Sequence, residues 1–454
     1  MAHVDELPPS RSRAVESFVT DWLVTDSIPG AALAVVEGDD LRFADGFGSR
    51  DLSANTPATP DTLFPIGSCT KTVTALAVAQ LADRGDLAFD DPVSAYVEHF
   101  SGAPGDPVTV ADLLSHTSGM PTDGNSTALV TPVPFSGERD LRRYVADSVD
   151  RRVTSEDRFM YYNTGYIVLG RVVEAVSGER FADYVSEHVH EPLGMDRSAF
   201  ERDEIHGDDD AATTYAMRED GPEAIPFSHD ELIHAPGGMA SSARELSRYL
   251  RAMSQGGVFE GERVVSEELV SELQTPSATR ARLLDGAERG YGYGWQTLPL
   301  LDDELVWHSG SVGISTAFVG YLREAGRGVV LLCNTAPPTH PKYAGPAVLA
   351  VLEGAEPTEV PHFALKAKAR PLVGDYESFH GVETATVERD GASLNLSVSS
   401  VLSAKELTLL PETLGTDDHS YYTVNEAGER VPAEFRVDGN DVELFLQRWR
   451  FRKV

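Results

Sequence analysis

The chain has 454 residues, 38 of them Lys or Arg against 72 Asp or Glu, a formal charge of −34, with 41% hydrophobic residues and two cysteines. That charge argues against nucleic acid or an anionic membrane as the main partner, and two cysteines, Cys69 and Cys333, exclude a disulfide framework and a Cys-based zinc site. The length allows roughly two or three domains of ~150 residues; no apolar run approaches the ~20 residues that span a bilayer, and the opening MAHVDELPPSRSRAVE has no secretory h-region, so the cytoplasm is the expected location.

In chain order, residues 11–24 predict a helix with Val15, Phe18, Val19, Trp22 and Leu23 on one face. Pro29-Gly30 ends it. AALAVVE then reads as a strand, Gly38-Asp39-Asp40 as a turn and LRFADGFG as its hairpin partner. After a polar loop over 49–65, a helix is expected at about 69–84, with Val73, Leu76, Ala77 and Leu81 as its stripe and Gly85 as its stop. Further helices fit 139–150, 164–177, 180–188 and 242–254. The acidic, aperiodic stretch 201–233 reads as an insertion or rim loop. Strands return at 316–322 and 328–334, and an apolar helix follows at 344–353. This order predicts an α+β layout with one antiparallel sheet assembled from both ends of residues 1–353, flanked by helices, and a helical lobe between. Residues 354–371 carry three Pro and read as a linker. From 372 to 454, short strands turning at Asp390-Gly391 and Asp438-Gly439-Asn440 predict a small antiparallel barrel or sandwich.

The acid is dispersed rather than gathered in a tail. From residue 372 onward there are 8 basic and 15 acidic residues, in rough proportion to length. Only six basic residues are lysines: Lys71, Lys342, Lys366, Lys368, Lys405 and Lys453. An acidic surface depleted of lysine resembles proteins of salt-loving organisms, in which screening over ~3 Å at molar salt removes self-repulsion.

Three short motifs carry chemistry. Ser68-Cys69-Thr70-Lys71 opens a helix, and the i, i+3 spacing puts the Lys71 side chain over the same face as Ser68. A serine hydroxyl needs a neighbour to take its proton, and a lysine with the ordinary pKa of ~10.4 serves only if burial or a nearby cation lowers that value. Read alone, the motif fits an N-cap serine beside a solvated lysine better than a catalytic pair. Tyr161-Tyr162-Asn163 supplies a phenol that can relay a proton and an amide that can orient Lys71 or a substrate; alone it also fits a tyrosine-rich helix start. His308-Ser309-Gly310, followed by Ser311, precedes a strand whose glycine admits a close substrate backbone; alone it is a hairpin turn with a surface histidine. His188 and His190 end a helix, His116 fixes a loop, and neither a metal site nor a nucleotide-binding loop is expected.

Together, S-x-x-K, Y-x-N and H-x-G stand in the order of the serine β-lactamase and penicillin-binding-protein superfamily. With IPGAALAVV, GFGSRD, LLSHTSGMP, EPLGM, APGGMASSARELSRYL and YGYGW, residues 15–353 resemble the class C β-lactamase-like serine hydrolases, and the tail resembles the lipocalin-like β-domains of some members. The resemblance implies a β-lactamase/DD-peptidase-like fold with Ser68 as acyl-enzyme nucleophile, Lys71 as base or base partner and Tyr161 as general base, then acid. It further implies that Asn163 holds Lys71 and the substrate, that His308 and Gly310 line the substrate, and that the N–H groups of Ser68 and Ser311 bind the oxyanion. His308 stands where β-lactamases have lysine, which leans toward the esterase and peptidase branch. The acidic surface further disfavours anionic substrates. The expected activity is hydrolysis of a small ester, amide or peptide without a cofactor. The alternatives are a D-amino-acid peptidase, a true β-lactamase or a non-catalytic binding protein that kept the pocket, and the oligomeric state is left open.

Overall fold

The computed structural model describes residues 7–98, 103–121, 142, 145–146, 148–149, 152–153, 158–227, 231–401 and 403–454. The chain divides into two compact units, Met1–Ala281 with Glu288–Gly354, and Arg282–Ala287 with Ala355–Val454. In the first unit, nine strands among the described residues form one sheet in the order Ala278–Arg282, Glu288–Tyr291, Gln296–Leu300, Asp303–Ser311, Thr316–Leu322, Arg327–Cys333, Gly30–Glu37, Asp40–Asp51, Thr56–Pro57. The two ends of the unit meet where Gly30–Glu37 pairs antiparallel with Arg327–Cys333, Ala31 opposite Cys333. GAALAVV reads as an unbroken apolar run because this strand is central and covered on both faces. The helix Ala243–Ser254 packs over the face of Ala32, Ala34, Val36, Val330 and Leu332, whereas Pro341–Leu352 lies over the Phe318 face, and Pro9–Asp26 packs against it.

The helix Thr70–Asp83 is buried from Thr70 through Leu81, not along one stripe. It lies inside the helical lobe with Asn163–Ser177 and Glu267–Gln274 beside it, so even its threonines are enclosed and bond to carbonyls: Thr72 to Cys69 and Thr74 to Ala235. Its N-terminus is reached through a 3-10 turn, Gly67–Cys69.

Two segments depart from their expected form. Residues 201–227 and 231–233 hold a short helix, Arg202–Gly207, a hairpin, Tyr215–Arg218 with Gly221–Ala224, and a 3-10 turn, Glu231–Ile233, rather than a loop. Backbone bonds from Thr213 to Arg50 and from Tyr215 to Asn334 order this stretch, and such bonds leave no hydrophobic period to read. The stretch expected as a linker contains a 3-10 turn, Pro357–Glu359, and a helix, Pro361–Ala369. Two of its three prolines, Pro357 and Pro361, open these helices, where a missing N–H costs nothing. The expected helix at 139–150 falls largely outside the described residues.

In the second unit, eight antiparallel strands from Gly374–Glu377 to Trp449–Lys453 close into a barrel, the first pairing with the last through Tyr376 and Lys453. Alternate residues fill it, among them Leu394, Leu396, Leu409, Tyr421, Phe435 and Phe451. Lys368 is buried against it, its Nζ donating to the Thr413 carbonyl at 2.9 Å. No described helix is long and apolar enough to cross a membrane.

Candidate active site

Ser68 sits in the 3-10 turn that starts the central helix, pressed against the Asp303–Ser311 strand. The contact tolerates only glycine. A Cβ on Gly310 would fall 1.7 Å from the Ile66 carbonyl oxygen and 2.9 Å from the Ser68 nitrogen, and one on Gly67, whose φ is +52°, 2.6 Å from the Ser311 nitrogen. The close approach brings the Ser68 and Ser311 backbones together. Thr70 Oγ1 donates to the Gly67 carbonyl at 2.7 Å and pins the turn from within. Cys69 points into the packing, where burial pushes its thiol pKa up.

Lys71 is fully buried one helical turn on. Its Nζ lies 3.1 Å from Ser68 Oγ, 2.8 Å from Asn163 Oδ1 and 2.6 Å from the Pro236 carbonyl oxygen. Among the described residues no carboxylate approaches it, and burial holds its pKa well below the ordinary lysine value. Tyr161 completes the group: its phenol hydrogen-bonds Ser68, and its ring centroid is 5.0 Å from Lys71 Nζ. Burial pushes the phenol up to about 12, so it is protonated at neutral pH, whereas a neighbouring ammonium would favour phenolate. Asn163 is the first residue of its helix, and Tyr162 is the cap.

His308 is neutral, and both its ring nitrogens are engaged. Nδ1 donates to the Ser309 carbonyl at 2.7 Å, which leaves Nε2 to accept from the Tyr291 hydroxyl at 3.2 Å. His116 lies on the other side of Tyr291. Its Nδ1 accepts from the Tyr162 backbone N–H at 3.0 Å, so its Nε2 carries the proton and faces the Tyr291 oxygen at 3.2 Å. Every link of this chain, from the Tyr162 N–H to the Ser309 carbonyl, is satisfied with both rings uncharged. Burial, with the charge of Arg280 nearby, pushes His308 down to about 3 and holds His116 well below the usual histidine range.

A cleft of about 280 Å³ opens at Ser68 and Tyr161, floored by His308, Ser309, Gly310 and Ser311. Its far side brings residues that sequence reasoning missed: Arg280, Arg289, Gln296, His340 and Lys342. Scarcity of lysine could have drawn attention to Lys342 as it did to Lys71, and Tyr291 and Pro236 fall inside segments already singled out, YGYGW and APGGM. The arginines carry no such mark. His188 and His190 lie on the turn Ser186–His190 and do not line the cleft; His188 meets Glu179 at 3.3 Å.

The Beta-lactamase family matches residues 13–353, and the Pab87 octamerisation domain family matches residues 357–452. The chain is similar to "Protein flp" of Staphylococcus aureus (strain MW2), with 26% identity over 326 residues, 70% of this chain and 62% of that protein. It thus spans less than two thirds of that curated relative. Among solved structures it resembles the octameric penicillin-binding protein homologue from Pyrococcus abyssi, with 33% identity and a TM-score of 0.88 over 97% of this chain and 100% of that one.

Proposed function

The chain belongs to the Beta-lactamase family, and on that premise we propose that it is a serine hydrolase cleaving an ester or amide bond through an acyl-enzyme on Ser68. The observation that carries this reading is the hydrogen bonding around Lys71. A neutral amine has two N–H donors and one lone pair. The carbonyl oxygens of Asn163 and Pro236 take the donors, and the lone pair is left facing the Ser68 hydroxyl. Lys71 then takes the proton as Ser68 attacks the carbonyl carbon. The N–H groups of Ser68 and Ser311 receive the developing oxyanion at the start of the central helix. Tyr161, protonated, passes its proton to the leaving group and regains one from Lys71. Water then attacks the acyl-enzyme along the same route in reverse.

His308 supplies no fixed cation, which supports an esterase or peptidase over a β-lactamase. The match of residues 357–452 to an octamerisation family, together with the likeness to an octameric homologue, supports a homo-oligomer. The charge of −34 with six lysines supports adaptation to high salt.

The test is labelling of the intact protein with a fluorophosphonate in high salt. One adduct per chain is expected, mapped to Ser68, lost in Ser68→Ala and strongly slowed in Lys71→Ala. Intact mass without any adduct would favour a binding protein that kept the pocket.

A further inference from the structure

Three threonines, Thr70, Thr72 and Thr74, stand at the start of the central helix, where branching at Cβ disfavours helix and burial demands a partner for each hydroxyl. Two find that partner inside their own chain, three residues back. Thr70 Oγ1 donates to the Gly67 carbonyl at 2.7 Å and Thr72 Oγ1 to the Cys69 carbonyl at 2.9 Å. Thr74 differs. The Thr70 carbonyl one turn back lies at 3.3 Å, and the shorter bond, 2.7 Å, crosses to the carbonyl of Ala235.

Ala235 and Pro236 belong to a single-turn helix, His234–Gly237, and both are buried. The last carbonyls of a helix lack a partner within it, and the Ala235–Pro236 peptide has no N–H, so its oxygen is the only polar atom it offers. Lys71 and Thr74 stand at i, i+3 on the central helix and take the two consecutive carbonyls: Lys71 Nζ donates to that of Pro236 at 2.6 Å, Thr74 Oγ1 to that of Ala235 at 2.7 Å. Without the Thr74 hydroxyl the Ala235 oxygen would be buried and unsatisfied, which drives the backbone to move. The Pro236 carbonyl is the next group along and would leave Lys71 with it. The amine would then hold a spare N–H and no fixed orientation, and its lone pair would no longer face Ser68 Oγ.

The titratable groups around Lys71 cannot stand in for that carbonyl as a charged partner. The Tyr161 and Tyr166 rings lie 5.0 and 5.2 Å from Nζ with their phenols protonated, the buried Cys69 thiol keeps its proton, and His116 and His308 are uncharged. We propose that Thr74 is a positioning residue for the reaction at Ser68: its hydroxyl holds the turn that presents the Pro236 carbonyl to Lys71, and so fixes the direction of the Lys71 lone pair. The inference rests on the serine-hydrolase reading and adds to it a residue that does not line the cleft.

The experiment compares Thr74→Val, which keeps the branched shape and loses the hydroxyl, with Thr74→Ser, which keeps the hydroxyl and loses a methyl. On the full chain, Ser68 inactivation by a fluorophosphonate is followed against pH, with kcat and KM for p-nitrophenyl acetate beside it. At the alkaline plateau Thr74→Val should react at least ~10-fold more slowly than wild type, since small misplacements far from the chemistry cost up to ~10²-fold. Its kcat should fall with KM unchanged. The inflection of the Val variant should move to lower pH, because an ammonium bonds a carbonyl more strongly than an amine does and loses more when the carbonyl leaves. Thr74→Ser should stay within a few-fold of wild type. A Val plateau equal to wild type, a Ser variant as slow as Val, or an inflection moved upward overturns the proposal and leaves the hydrolase intact. Should Thr74→Val not fold, Thr74→Ser and Thr74→Ala differ by the same oxygen and carry the comparison. If the wild type itself takes no adduct, the hydrolase reading fails, and the Thr74 contact is judged on Lys71 directly. The readout is then the pH titration of the Lys71 Cε carbon-13 resonance in lysine-labelled protein, which has only six lysines to assign. A titration shifted down in Thr74→Val upholds the contact, and one that is the same in both proteins overturns it.

Discussion

Burial decides what Lys71 can do. An exposed lysine is an ammonium with nothing to accept a proton; enclosed among Ser68, Asn163 and Pro236 with no carboxylate near it among the described residues, this one is pushed toward the amine. The sign follows directly. Below its lowered pKa Lys71 is protonated and Ser68 is idle, so reactivity rises with pH through that value. Tyr161, raised to about 12, keeps its proton throughout and adds no alkaline limb below that point. The rate of Ser68 inactivation by a fluorophosphonate should therefore complete its rise well short of ~10.4 and stay level through the ordinary lysine range. An inflection at about 10 would mean that Lys71 is charged in the free protein and that another group is the base. The same burial costs stability. A folded pKa below the unfolded one means that the unfolded chain binds more protons between the two values, so this residue's contribution to stability grows as pH rises across that window.

The junction between the Gly67–Cys69 turn and the Asp303–Ser311 strand is where two elements become one site. Gly310→Ala places a methyl 1.7 Å from the Ile66 carbonyl oxygen, backbone against backbone, so the strand must move away from Ser68. Losing the alignment of one oxyanion donor costs ~10²–10³ in kcat. A loss of that size with a lowered Tm is the expected result, read by ester hydrolysis and thermal melting; turnover within a few-fold of wild type would mean that Ser311 takes no part. This junction was half legible in the sequence. Ser68, Lys71, Tyr161 and Asn163 stand in short fixed spacings, and Lys71 stands out because lysine is scarce. The cations lining the cleft were not legible: Arg280 and Arg289 come from neighbouring strands of the sheet edge and Lys342 from the start of a helix, and what distinguishes them is that they share one cleft with no acid among its described lining residues, a property of space and not of order along the chain. Alternation made the barrel strands readable. The hairpin Tyr215–Arg218 with Gly221–Ala224 offered none, since five of its eight residues are exposed.

At the scale of the whole molecule, two electrostatic effects oppose each other when salt is added. Ion pairs such as Arg197–Asp208, at 2.6 Å, and Arg244–Asp61, at 2.7 Å, lose part of their attraction. Pairs this exposed contribute only ~0–1 kcal/mol each, so their loss is small. Against that stands the mutual repulsion of 72 carboxylates facing 38 cations, which every folded chain carries and the expanded chain partly escapes. Repulsion acts over long distances, where shrinking the Debye length from ~10 Å at 0.1 M to ~3 Å at 1 M removes most of it. Repulsion therefore wins, and the melting temperature should climb from about 0.05 M to about 2 M KCl. Because the acid is spread over both compact units, each should gain, and a melt with two transitions should show both moving upward. A curve that is flat or falls with salt would mean that the carboxylates are already offset locally by their neighbours, and the scarcity of lysine would then need a cause other than salt.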